Sequence, residues 1–136
     1  MTKRYYVCVD GVLMKDDKIL LMKRNVEPFI GYWHVIGGHV GENENLKDAL
    51  HREYLEETNL DVEVGEIIFG RIEECPDRIK IIIAFQVFNE KGEIKLNYEN
   101  QEFGWFDRMP SQIVFDYSKY VNKQRNDAIK FQKSKT

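Results

Sequence analysis

The sequence predicts an α+β fold, an α/β/α sandwich in which a mixed β-sheet is packed between helices. Three observations point to it. Strand-like and helix-like stretches are interleaved along the chain, which implies a sheet covered by helices. The run Ile81-Ile82-Ile83 shows no polar alternation, the pattern of a central strand buried on both faces. Two stretches, 45–58 and 110–130, place apolar residues at helical spacing and supply the covering helices.

Each element has a local reason. Arg4 to Met14 is rich in Tyr and Val and reads as a strand. Asp16-Asp17 signals a turn, and Ile19 to Met22 is a second strand, so the pair forms a hairpin. Asn25 to Tyr32, with Pro28 and Gly31, is a loop, and Trp33 to Ile36 is a short strand that Gly37-Gly38 should stop. Asn45 to Thr58 is the first helix. Asn45 is its N-cap, and Asp48 three residues on makes a weaker version of the capping box. Leu60 to Phe69 and Arg78 to Phe88 read as strands, separated by a turn at Cys75-Pro76-Asp77, and Phe103 to Phe106 as a short aromatic strand. Pro110 to Lys130 is expected to be a C-terminal helix facing inward through Ile113, Tyr117, Tyr120, Val121, Ala128 and Ile129.

Length and composition narrow the function. The 136 residues suit a single domain spanning 1–136. A hydrophobic content of 43% with 12% aromatics excludes a disordered chain. The longest apolar run, Ile81 to Phe85, is far short of a membrane span, and Met1-Thr2-Lys3-Arg4 has no signal-peptide core, so no membrane association is expected. Cys8 and Cys75 fit neither a disulfide framework nor zinc spacing, and a cytoplasmic location is the expectation. A net charge of −3 argues against coating a nucleic-acid polymer, and Lys130, Lys133 and Lys135 read as a solvated tail.

That charge is concentrated. Between Gly38 and Leu60, six acids face two bases, so this segment carries −4 and the rest of the chain +1. With Leu46 at zero on a helical wheel, Leu50 lies near about +40°, Tyr54 near about +80° and Ala49 near about −60°. Glu53 and Glu57 fall at about −20° and about +20°, in the middle of the stripe that should be buried, with Glu56 at about −80°. Carboxylates on a core-facing stripe are costly to desolvate, and three at i, i+3 and i+4 repel one another. Arg52 reaches Glu56 at i+4, but one guanidinium cannot neutralise three carboxylates. Clustered oxygens suit a hard cation such as Mg²⁺ or Mn²⁺. The competing explanation is a solvated acidic face. Gly37, Gly38 and Gly41 ahead of this helix permit close approach of backbone to a ligand.

These residues resemble the Nudix box. Gly38, five residues, Glu44, seven residues, then Arg52-Glu53-Tyr54-Leu55-Glu56-Glu57-Thr58-Asn59-Leu60 match seven of nine specified positions, every charged one included, over 38–60. Asn59 stands where the family closes the helix with glycine, and Asn is the next most tolerant residue of a left-handed cap. Tyr54 stands where an aliphatic residue is usual, so a buried hydroxyl there needs a partner. Ile36 stands where many relatives have proline.

The resemblance implies a Nudix fold and a hydrolase that attacks the diphosphate of a nucleoside diphosphate linked to another moiety. It implies Glu53, Glu56, Glu57 and the Gly38 carbonyl as ligands of Mg²⁺ or Mn²⁺. Glu53 is also the expected general base, Arg52 orients the glutamates, and Glu44 supports the loop and helix from behind. Glu102 is a candidate extra base or ligand, while Glu99 reads as a solvated loop carboxylate. Arg24 is a candidate phosphate contact, and Phe29 and Tyr32 are candidates to stack a base, with Trp33 at least as well suited to the core. His34 and His39 are assigned no role. The short chain points first to a MutT-like nucleoside triphosphate pyrophosphohydrolase, then to an enzyme for ADP-ribose or a nucleotide sugar. A Nudix-like domain that senses a nucleotide without cleaving it is the reading from another class. The expected partner is a small nucleotide-like diphosphate, with a homodimer left open.

Overall fold

The structure, a computed structural model, describes residues 2–125. The chain forms strands β1 (Arg4–Lys15), β2 (Lys18–Arg24), β3 (Trp33–His34) and β4 (Ile36–His39), helix α1 (Leu46–Thr58), then β5 (Asp61–Glu74), β6 (Arg78–Lys91) and β7 (Asn100–Phe106). A second helical segment, α2, covers 118–125.

One mixed sheet carries the strand order β3-β2-β1-β6-β5, with β4 paired to β1 and β7 to β2. The hairpin between β1 and β2 is closed by Asp16 and Asp17, both at positive φ (51° and 63°), the conformation a tight two-residue hairpin turn demands. β1 then runs parallel to β6, from Arg4 against Arg78 to Leu13 against Val87. β6 is therefore central, as its isoleucines indicate, although only Ile82 of the three is fully buried. The sheet floor there opens into a cavity.

Each face of the sheet has its own apolar cluster. On one, Val9, Leu13, Phe85 and Val87 pack with Ala49, Leu50 and Tyr54 of α1. On the other, Val12, Ile19, Leu21 and Val35 pack with Tyr117 and Val121. The sheet thus lies between α1 and the C-terminal segment, the sandwich predicted from sequence. Burial of these side chains is the main favourable term holding the layers together.

α1 begins and ends as expected. The Asn45 side chain accepts from the Asp48 amide at 2.8 Å, and Asn59 caps the other end at φ 66° and ψ 12°, its amide bonded to Leu55 O.

Two elements differ from the sequence reading. Gly37 and Gly38 do not end a strand but form the middle of β4, opposite Asp10 and Val9. They are glycines because of what lies beside them: a Cβ on Gly37 would overlap Asp10, and one on Gly38 the Glu53 carboxylate. Ile36, at the start of β4, is buried and pairs with Gly11. The C-terminal helix starts at 118 rather than at Pro110. Residues 110–117 instead bridge to β3, where Trp33 N donates to Gln112 O and Val114 N to Trp33 O. Tyr117 is buried from this irregular stretch and not from a helix face. Ala128, Ile129 and the lysine tail lie outside the described residues.

Candidate active site

α1 presents its glutamates where the wheel places them. Glu57 is 2% exposed, the Glu53 side chain 13%, and Glu56 more than half exposed. Tyr54 fixes the rotation of the helix. Its ring is buried against Gly11 and its hydroxyl donates to Gly11 O at 3.0 Å, the partner that a buried phenol requires.

Arg52 is the hub of the cluster. Its Nε and Nη2 donate to the two oxygens of Glu44 at 2.7 and 3.0 Å. Its Nη1 donates to Glu53 at 2.9 Å and Glu56 at 3.2 Å, and Nη2 also reaches His39 O at 3.1 Å. Glu44 accepts from the Gly41 amide as well, and the guanidinium holds its carboxyl down to about 2. Arg52 and Glu44 therefore tie the glycine-bearing segment to α1.

Glu57 has no such support. Its Oε1 accepts from Asn100 Nδ2 at 3.2 Å, while its buried Oε2 has no partner among the described residues. Burial, then the neighbouring Glu53 carboxylate, raises Glu57 well above the ordinary carboxylate range. Burial likewise raises Glu53. An orphaned carboxylate oxygen beside a second inward carboxylate, with space kept by Gly38, fits a small hard cation bound through oxygen. Among the described residues, no three acidic, His or Cys side chains already converge into a finished cage. Glu56 is drawn aside by Arg52, which donates to it at 3.2 Å.

Asn100 was not singled out from sequence. It is 4% exposed, and while its amide nitrogen holds Glu57, its Oδ1 lies 2.8 Å from His34 Nε2. Since that oxygen accepts, His34 must carry its proton on Nε2. Burial pushes the imidazole down to about 4, so it is neutral. His34 thus orients Asn100, which in turn orients Glu57.

An open cavity of about 590 Å³ begins at Gly38, Glu53 and Glu57 and runs across the sheet floor. Arg24 and Phe29 line it, with the Arg24 Nε donating to Pro28 O at 2.6 Å. Tyr32 is not among the lining residues and stacks edgewise on Phe29 at 5.6 Å. Trp33 packs against Phe106 at 4.7 Å, in the core. Glu102 is placed away from the cluster: it sits opposite Lys23 on β7, is mostly exposed and lies outside the cavity. Glu99 lines the cavity in its stead and adds to the charge felt by Glu57. The strand-to-loop boundary before β7 decides which of the two faces inward, and spacing alone does not reveal it.

Asp10, Arg71, Phe115 and Tyr117 line the remainder of the cavity. Asp10 carried a signal in the sequence, since it interrupts the apolar run of β1 between Val9 and Gly11-Val12-Leu13. Burial raises its carboxyl, opposed by the Tyr117 hydroxyl and Arg71.

Residues 4–124 match the family described as NUDIX domain. The chain is 35% identical over 123 residues to an ADP-ribose pyrophosphatase of Methanocaldococcus jannaschii, covering 85% of this chain and 70% of that protein. It is 37% identical over 120 residues to an 8-oxo-dGTP diphosphatase of Buchnera aphidicola, covering 88% and 85%. Its fold resembles that of a MutT NUDIX hydrolase from Burkholderia pseudomallei, with a TM-score of 0.80 at 21% identity over 88% of this chain and 98% of the other.

Proposed function

The chain belongs to the Nudix family and is a hydrolase of pyrophosphate bonds, and from this premise we propose that it converts a nucleoside triphosphate to the monophosphate and pyrophosphate with the help of a divalent cation. The observation that carries the reading is Glu57, whose buried Oε2, beside the Glu53 carboxylate and Gly38, lacks a partner among the described residues. Glu53, Glu56, Glu57 and the Gly38 carbonyl would hold the cation, Mg²⁺ in the first instance. When bound, it supplies charge stabilisation for the phosphoryl oxygens.

The protein's own groups do the rest. Glu53, which lines the cavity beside Glu57, takes the proton of the attacking water. Arg52, by donating to Glu53 and Glu56, fixes the directions of their oxygens. Asn100, steadied by neutral His34, does the same for Glu57. Arg24 lies at the cavity wall within reach of an anionic substrate. The relative that acts on ADP-ribose keeps that compound as a second substrate to be tried.

The test is a panel of nucleoside triphosphates, dinucleoside polyphosphates, nucleotide sugars and ADP-ribose, incubated with and without Mg²⁺ and followed by phosphorus NMR. Monophosphate and pyrophosphate should appear from a triphosphate only when Mg²⁺ is present. Preferred cleavage of ADP-ribose would replace the substrate. An untouched panel, with one nucleotide raising the melting temperature, would show a sensor instead of an enzyme.

A further inference from the structure

β5 ends the sheet on the β6 side, so one of its edges faces away from the other strands. Its first half is irregular. The ladder with β6 shifts between Asp61 and Glu63, between Val64 and Ile67, and between Ile67 and Phe69. Such bulges keep an edge from pairing with another chain. The second half carries none: residues 69–74 pair one to one with 79–84. This stretch contains no proline, and among the described residues its backbone bonds to nothing beyond β6. A straight edge with unspent N–H and C=O groups is a template for a further strand.

The side chains along this edge state what that strand must carry. They alternate between the two faces. Arg71 and Glu73 point into the cavity, where Arg71 Nη1 donates to Glu73 at 3.1 Å. Arg71 has donors to spare, since Nη2 stands 3.7 Å from Asp10 Oδ2, beyond hydrogen-bond reach, and Nε has no partner among the described residues. Gly70, Ile72 and Glu74 lie on the α1 face. Ile72, Ile81 and Val7 form one row there across β5, β6 and β1. α1 covers Val9, Leu13, Phe85 and Val87 instead, which leaves Ile72 68% exposed, with Tyr5, Val7 and Ile67 also exposed. The incoming strand must therefore bring an apolar residue to Ile72 and opposite charges to Arg71 and Glu73.

β5 itself meets these demands. When a strand pairs antiparallel with its own copy across a two-fold axis, one residue faces its counterpart and the others pair symmetrically about it. With the axis at Ile72, the two isoleucines meet and each Arg71 faces the partner's Glu73. Each Glu74 falls opposite the partner's Gly70, and there is room for it, since even a Cβ on Gly70 would meet nothing nearer than Ile82 O at 3.8 Å. An axis at Arg71, Glu73 or Glu74 would set like charges face to face, which is destabilising. An axis at Gly70 would carry the ladder into the bulges before Phe69.

We propose that residues 69–74 form an interface between two copies of this chain, paired antiparallel about Ile72 into one continuous sheet. The regular ladder is about 17 Å long, a contact at the small end of specific interfaces, so the dimer is reversible. The partner's Glu73 joins the cavity wall beside Arg71. The proposal stands apart from the reaction that the chain catalyses.

The experiment uses the full chain. Sedimentation equilibrium should give a mass that rises with concentration toward twice 16.2 kDa, and Tm should rise with concentration as well. Ile72→Asp sets two carboxylates at the axis. At an exposed position it should leave the chain folded by circular dichroism and raise the dimer dissociation constant at least about tenfold. Directly opposed residues have Cα atoms about 4.5–5.5 Å apart, within the span of a disulfide. Ile72→Cys should therefore give a disulfide-linked dimer in oxidised glutathione. Glu74→Cys, which faces Gly70, should not, and neither should the wild-type chain with its Cys75. If Ile72→Asp does not fold, the cross-linking comparison decides. A monomeric mass at every concentration, a dimer undiminished by Ile72→Asp, or equal cross-linking through positions 72 and 74 overturns the proposal.

Discussion

Arg52→Gln tests whether one guanidinium holds the carboxylate cluster together before a cation arrives. The substitution removes five hydrogen bonds, to both oxygens of Glu44, to Glu53, to Glu56 and to His39 O. The largest loss falls on Glu53, whose side chain is 13% exposed and which is left facing Glu57 uncompensated. Removing one partner of a buried pair costs about 3–5 kcal/mol. Because the Arg52 side chain is 35% exposed, solvent screening reduces this to about 2–3 kcal/mol. For a chain of this size each kcal/mol moves Tm by about 3–4 °C, so Tm in chelator should fall by about 6–12 °C. Added Mg²⁺ should recover part of the loss, because a cation at the same carboxylates replaces the missing charge. Turnover should drop about 10–100-fold even when the variant is fully folded, since the Glu53 oxygen is no longer aimed. Calorimetric melts with chelator and with Mg²⁺, paired with initial rates, measure all three. A Tm within about 2 °C of wild type in chelator would refute the reasoning.

Other expectations concern single groups. In the metal-free protein Glu57 keeps its proton above the ordinary carboxylate value, so between that value and its raised one the native state binds more protons than the unfolded chain. Stability should therefore fall as pH rises through this window in chelator, and Glu57→Gln should flatten the dependence in melts from about pH 5 to about pH 8. Tyr54→Phe deletes the bond to Gly11 O and should cost about 1–2 kcal/mol in denaturant titrations while leaving kcat within about threefold. Glu53→Gln should lower turnover by about 10²–10⁴-fold, whereas Glu102→Gln, exposed and opposite Lys23, should behave as wild type in the same rate assay.

Much of the site is readable without coordinates because it is local. Residues Leu46 to Thr58 form one helix, and in one helix angular position follows from spacing alone. That geometry suffices to set Glu53 and Glu57 inward, to name Arg52 as the group that can reach them, and to require a partner for Tyr54 and a left-handed cap at Asn59. The strands of the sheet are similarly legible, from Val, Ile and Tyr runs broken by turn residues.

The remainder depends on residues far apart in the chain. Asn100 lies 43 positions from Glu57, and Tyr117 lies 107 from Asp10. No periodicity links them, and their pairing is set by which strands adjoin and in what register. The same holds for Gly37 and Gly38, which look like a chain-breaking turn until Asp10 and Glu53 are seen to occupy the space their side chains would need. Glu99 and Glu102 are chemically interchangeable on paper, and only the path of the chain into β7 sends one to the cavity and the other to Lys23. The reaction class is thus written in a local motif, because a single helix carries Glu53, Glu56 and Glu57. The rest of the cavity is decided across the sheet, because Asp10 of β1, Arg71 of β5, and Phe115 and Tyr117 before α2 meet only in the folded chain.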